Sequence, residues 1–245
     1  MIKGLMHGGS EFLASAISPE EARLALSGGA SIIDCKDPST GALGALPAST
    51  IEAIVEATGG RVLVSATTGD LPSDPAAMVK AAARIAATGV DIVKVGFFGD
   101  TGPSASLAAL GAADIGKARL VAVLMADRRP DFAIIVELAR AGFAGVMLDT
   151  ADKLSGSLPD ILDATSLAAF IDEAHAYGLA AGLAGSLRRQ HIAALVALRP
   201  DIIGFRGALC DGGRTNALDA ARVRAVRSEI DAALQAMLPL QRSVA

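Results

Sequence analysis

The sequence predicts one (β/α)8 barrel, a single α/β domain over residues 1–245. Three observations carry this prediction. Short aliphatic runs alternate with longer amphipathic ones eight times along the chain. The short runs are almost continuously apolar, as strands must be when a parallel sheet is covered by helices. Eight such units in 245 residues also match the ~250 residues usual for this barrel. The alternative is an open, doubly wound sheet. That fold normally carries a glycine-rich phosphate loop after an early strand, and neither GxGxxG nor GxxxxGK[ST] occurs here. Residues 1–9 read as an extension ahead of the first strand.

The strands are expected at 12–17, 31–36, 61–67, 91–97, 119–125, 144–149, 178–185 and 201–206, each short and closed by turn residues. The helices are expected at 19–27, 47–58, 74–89, 103–115, 130–141, 164–177, 188–198 and 218–237. Ser18-Pro19-Glu20-Glu21 is a helix start, with proline and acids in the first turn, and Arg129-Pro130-Asp131 reads the same way. Glycines 29, 60, 89, 142 and 178 stand where a helix C-cap precedes the next strand.

Composition narrows the function classes. Apolar residues make up 52% of the chain and charged residues 20%, which excludes a disordered or fibrous protein. A net charge of −4 with 3% aromatics and no Trp argues against nucleic-acid binding. Two cysteines make no disulfide framework. No run reaches the ~18 apolar residues of a membrane span, and the start MIKGLMHGGSEF lacks the pattern of a signal peptide. The expectation is a soluble cytoplasmic protein acting on a small molecule. No HxH, HExxH or CxxC spacing suggests a metal. The alanine-rich helices at 74–89 and 130–141 fit barrel packing or a homo-oligomer interface equally well.

In this fold, chemistry sits at the C-terminal ends of the strands. Sixteen arginines against six lysines make each lysine worth inspecting. The second strand ends Asp34-Cys35-Lys36, so alternation puts Asp34 and Lys36 on one face and turns Cys35 toward the helices. Buried charges of this kind are costly unless paired. A structural ion pair is the plain reading of them. Lys94 lies in the middle of an apolar strand, where a solvated lysine does not belong. Asp149 closes the sixth strand and Lys153 opens the loop after it. Even-numbered strands share a layer of the barrel interior, so these five residues can converge. Desolvation and neighbouring ammonium groups favour a neutral amine, the nucleophile that forms Schiff bases with aldehydes and ketones. Adjacent carboxylates can move the protons.

The remaining candidates bind substrate. Ser15 and Ser65 end strands one and three. Gly185, Ser186, Arg206 and Gly207 lie at the ends of strands seven and eight, the standard phosphate site of such barrels. The loop Asp211-Gly212-Gly213-Arg214 follows. Asp127 is either an acid or a cap for the helix near Pro130. His175 and His191 fall on helical stretches and read as packed or solvated. His7 lies in the N-terminal segment.

The strings IIDCKDPSTGALGA (32–45), LVSATTGD (63–70), IVKVGFFG (92–99), MLDTADK (147–153), DEAHAYGL (172–179), LAGSL (183–187) and FRGALC (205–210) resemble one family. It is the (5-formylfuran-3-yl)methyl phosphate synthase family, also called 4-(hydroxymethyl)-2-furancarboxaldehyde-phosphate synthase. The likeness runs from about Phe12 to Leu218 and is loose over 100–130 and past about 220. It implies a barrel lyase without a redox cofactor. Two molecules of glyceraldehyde 3-phosphate would condense to a furan aldehyde phosphate, releasing one phosphate and two waters. The product would serve methanofuran biosynthesis in one-carbon metabolism. The resemblance puts the catalytic lysine at Lys36 and further active-site residues at Asp34, Lys94, Asp149 and Lys153. Two other readings of the same residues are a different Schiff-base phosphosugar aldolase and a phosphosugar-binding barrel without catalysis.

Overall fold

A computed structural model describes residues 9–99, 104–152 and 156–242. Residues 1–8 of the expected extension lie outside the described residues. Eight parallel strands close into a barrel in sequence order: β1 (Glu11–Ala16), β2 (Ile32–Cys35), β3 (Leu63–Thr67), β4 (Ile92–Phe97), β5 (Arg119–Met125), β6 (Gly145–Asp149), β7 (Ala180–Leu183) and β8 (Ile202–Phe205). β8 pairs with β1, which completes the ring and leaves no sheet edge. The open-sheet alternative is thereby excluded.

The helices that follow them are α1 (Pro19–Ser27), α2 (Ala48–Thr58), α3 (Pro75–Ala86), α4 (Ser104–Gly111), α5 (Ile134–Arg140), α6 (Leu158–Ile161), α7 (Ala164–Ala176), α8 (Ile192–Ala197) and α9 (Ala220–Arg242). Local sequence explains several of their starts. The Ser18 hydroxyl accepts the Glu21 N–H at the head of α1, with Pro19 in the first turn. Asp74 accepts from Ala76 N, and Asp163 from Ser166 N. Gly142 and Gly178 take positive φ (80° and 71°) where the chain leaves a helix for β6 and β7.

Three differences from the sequence reading have physical causes. Arg129-Pro130 does not open a helix. Arg129 sits in the left-handed region at φ 51° and ends a 3-10 turn over Ala126–Arg128. Asp131 then accepts the Ala133 N–H, so α5 begins at Ile134. The expected helix at 188–198 is divided into a 3-10 turn at Arg189–His191 and the shorter α8. The four-residue α6 was not anticipated, although Ser157 and Asp160 hydrogen-bond each other as a capping box, a pattern readable in Ser-x-x-Asp.

Strand alternation sorts the side chains into two cores. Leu13, Ile32, Ile92, Val123, Met147 and Ile202 fill the barrel interior. The outward set, including Ile33, Cys35, Val93, Ala122 and Leu148, packs beneath the helices. Cys35 thus faces the helix layer, as alternation requires. No helix among the described residues is long and apolar enough to cross a membrane.

Burial pushes the Cys35 thiol well up from its ordinary range, with the Asp34 charge adding to the effect, and burial raises Cys210 as well. A raised thiol pKa means less thiolate at any given pH, and thiolate is the reactive form. Native protein at pH 8 should therefore resist a chromogenic disulfide reagent at both cysteines, and both should react on unfolding. Fast labelling of Cys35 in the folded state would contradict its placement.

Candidate active site

The C-terminal mouth of the barrel holds a cavity of about 280 Å³. Its floor is made of charged residues from β2, β4 and β6. Lys94 Nζ donates to Asp34 Oδ2 at 2.8 Å, and Lys36 Nζ donates to Asp149 Oδ2 at 2.8 Å. All four are deeply placed: Asp34 is 1% exposed, Lys94 4%, Asp149 4% and Lys36 9%. Alternation puts Asp34 and Lys36 on one face of the chain, yet they do not pair with each other. Each meets a partner from a different strand, and Lys36 reaches β6, which stands opposite β2 in an eight-strand ring.

The two pairs are not equivalent. Asp34 lies in register between Ser15 of β1 and Ser65 of β3. Both hydroxyls donate to it, at 3.2 and 2.6 Å, so with Lys94 it accepts three hydrogen bonds. The Lys94–Asp34 pair is therefore locked from both flanks. Lys36 follows the last residue of β2 and stands nearer the opening. Asp149 Oδ1 also accepts the Thr150 N–H at 2.7 Å. Lys153 lies outside the described residues.

The substrate-binding candidates divide. Ser15, Gly185, Ser186 and Gly207 line the cavity. Gly185 has φ 104°, and a Cβ there would stand 2.9 Å from Thr150 Cγ2, so glycine lets the β7 end lie close against the β6 end. Ser186 holds a left-handed φ of 50°, uncommon for serine. Ser65 is fully buried, and its hydroxyl serves Asp34 rather than the cavity. Arg206 borders the cavity, but all five of its donors are taken. Nε goes to Arg214 O, Nη1 to Ser15 O and Glu21 Oε2, and Nη2 to Glu21 Oε1 and Asn216 O. No donor is left for a phosphate, which corrects the expected role of Arg206.

Several residues that shape the mouth were missed by sequence reasoning. Glu21 accepts from Arg206, Ile17 N and Leu218 N, tying the β1 end to the loop after β8. Asp70 accepts the N–H groups of Ala42 and Leu43 and folds the loop after β2 inward. Asp127 neither caps a helix nor faces the cavity floor. Its two oxygens accept from Ala151 N and Asp152 N, fixing the loop after β6. Arg188 and Arg214 border the cavity. Burial weakens the hold of Arg214 on its proton, while Asp149, Asp37 and Asp70 act in the opposite sense. His175 bonds Asp201, and His191 accepts from Arg188 N, so neither joins the floor. His7 lies outside the described residues. No group of three or more metal-ligating side chains occurs among the described residues.

A closed (β/α)8 barrel with lysine–carboxylate pairs at its C-terminal mouth defines the class: a barrel with a charged cavity where enzymes of this fold keep their active sites. The sequence profile of the 4-HFC-P synthase family matches residues 12–227. The chain belongs to this family. The (5-formylfuran-3-yl)methyl phosphate synthase of Methanocaldococcus jannaschii is 40% identical over 224 residues, covering 83% of this chain and 92% of that protein. A Methylorubrum extorquens protein assigned the same synthase name is 44% identical over 212 residues, covering 86% and 87%. Among solved structures, a dihydrodipicolinate synthase superposes with TM-score 0.67 at 14% identity, covering 96% of this chain and 79% of that one. Phosphoribosyl anthranilate isomerase from Thermus thermophilus gives 0.64 at 17%, covering 91% and 98%. These two likenesses show the barrel fold alone.

Removing one partner of a buried ion pair leaves an uncompensated charge, at a typical cost of about 3–5 kcal/mol. Lys94→Met should lose about that much in urea unfolding. The double variant Asp34→Asn/Lys94→Met should be more stable than Lys94→Met alone. A single variant as stable as the parent would show that the pair is not held as described.

Proposed function

We propose that this protein condenses two glyceraldehyde 3-phosphate molecules into (5-formylfuran-3-yl)methyl phosphate through a lysine Schiff base on Lys36. The observation that carries the proposal is the Lys36–Asp149 pair, a cavity-lining amine with a carboxylate 2.8 Å from its nitrogen. Family membership supports the product.

One glyceraldehyde 3-phosphate is first isomerised through its enediol, losing the C2 proton and gaining one at C1, and the resulting dihydroxyacetone phosphate presents its carbonyl to the Lys36 amine. Asp149 takes the ammonium proton, which frees the lone pair to attack the carbonyl carbon. The same carboxyl returns a proton to the carbinolamine oxygen, which leaves as water and gives the imine. Loss of a carbon-bound proton converts the imine to an enamine, whose carbon attacks the aldehyde of the second triose. Lys94, held by Asp34, polarises the oxygen on which charge develops. Lys153, four residues past Asp149, is assigned to the same oxygen-binding work. Hydrolysis of the imine returns Lys36. Across the whole sequence one phosphate and two waters leave per pair of trioses, and ring aromaticity drives the last eliminations. The product would feed methanofuran biosynthesis.

Incubation with glyceraldehyde 3-phosphate alone tests this reading. The parent should release one phosphate per two trioses above the enzyme-free background and form a furan aldehyde identifiable by mass. Lys36→Ala should abolish both, and Asp149→Asn should slow both by about 10²–10⁴-fold. Triose consumption without phosphate release would instead support a reversible aldolase. Unaltered product formation by Lys36→Ala would sink the Schiff-base assignment.

A further inference from the structure

The proposed chemistry brings two phosphate monoesters into one cavity, yet among the described residues the lysines of its floor are already matched. Lys36 and Lys94 are each matched by a carboxylate at 2.8 Å. Among the described residues, further positive charge for the phosphates lies at the rim. The backbone at the ends of β7 and β8, around Gly185, Ser186 and Gly207, offers one anion position. A second calls for a cationic side chain with free donors, and arginine's planar fork suits a phosphate best.

Three arginines border the cavity. Arg206 has spent every donor on protein acceptors. Arg188 is exposed. Arg214 differs from both. It is half-buried, and its main chain is gripped by Arg206, whose Nε donates to the Arg214 carbonyl at 2.9 Å. Its own Nη2 donates to Gly41 O at 3.2 Å, so its side chain spans from the loop after β8 to the loop after β2. Among the described residues Nε and Nη1 of Arg214 make no hydrogen bond, and it forms no ion pair. Asp149, Asp37 and Asp70 act on it through space only. A partly dehydrated guanidinium, fixed at both ends and left with open donors, is a preset receptor for an anion.

We propose that Arg214 binds the phosphate of the second triose, so that the cavity holds two phosphates: one on the β7 and β8 backbone and one on this guanidinium. The inference rests on the triose-phosphate reading above and extends it. It also gives Arg206 and Glu21 a role. They hold the loop after β8 in place and so position Arg214, without contacting substrate.

Calorimetric titration with sn-glycerol 3-phosphate, which has the phosphate but no carbonyl, reads the site without turnover. The parent should bind two equivalents. Arg214→Gln should keep one and weaken the other at least tenfold, with Arg214→Lys recovering part of the loss. In steady state Arg214→Gln should raise KM for glyceraldehyde 3-phosphate by at least tenfold and change kcat much less. An Arg214→Gln isotherm like the parent's, or a parent that binds one equivalent, would overturn the inference. So would loss of binding together with a matching fall in Tm that Arg214→Lys does not repair. A parent that binds two equivalents, one of them dependent on Arg214, and forms no furan would defeat the synthase reading and leave the anion site standing.

Discussion

The molecule is organised around the burial of two lysines and two aspartates inside a barrel whose other interior residues are mostly apolar. Isolated charges there would cost several kcal/mol each, so the four must be matched and hydrogen-bonded. β2 supplies one member of each pair, Asp34 and Lys36. Its register is consequently constrained from both sides. A shift of one residue would turn both charges into the helix layer and Cys35 into the cavity. Ser15 and Ser65, the neighbours of Asp34 in register, stabilise the correct alignment by donating to it. The same arrangement separates the two amines. Lys94 is locked from both flanks through Asp34, and Lys36 stands nearer the opening with Asp149 as its partner across the ring.

Around this floor, carboxylates hold the loops by gripping backbone N–H groups. Asp70 does so for the loop after β2, Asp127 for the loop after β6, and Glu21 with Arg206 for the loop after β8. Each ties a loop to the barrel mouth, as the proposed reaction of two trioses would require. The rim can then supply what the matched lysines of the floor do not, a site for negative charge.

Much of this was legible in the sequence, for specific reasons. Eight alternations of period fixed the barrel. Lysine scarcity together with strand position singled out Lys36 and Lys94, and the resemblance pointed to the same residues. The pairing was not legible, because Asp34 and Lys36 share a face but reach in different directions for partners on other strands. The partners of Arg206 are not legible, because an arginine at a strand end reads alike whether its donors meet phosphate or carbonyl oxygens. Arg214 looked like part of a glycine-rich turn. Its importance depends on Gly41, 173 positions away. Asp127 and Asp70 act through backbone groups at least 24 residues distant, which no local pattern records.

Under the proposed mechanism the pairing scheme leaves Lys36, and not Lys94, as the nucleophile. Borohydride reduction during incubation with glyceraldehyde 3-phosphate, followed by tryptic digestion and mass mapping, tests it most directly. The account expects the reduced triose adduct on the peptide that carries Lys36, with the Lys94 peptide unmodified. An adduct on Lys94 or Lys153 with Lys36 untouched would contradict it.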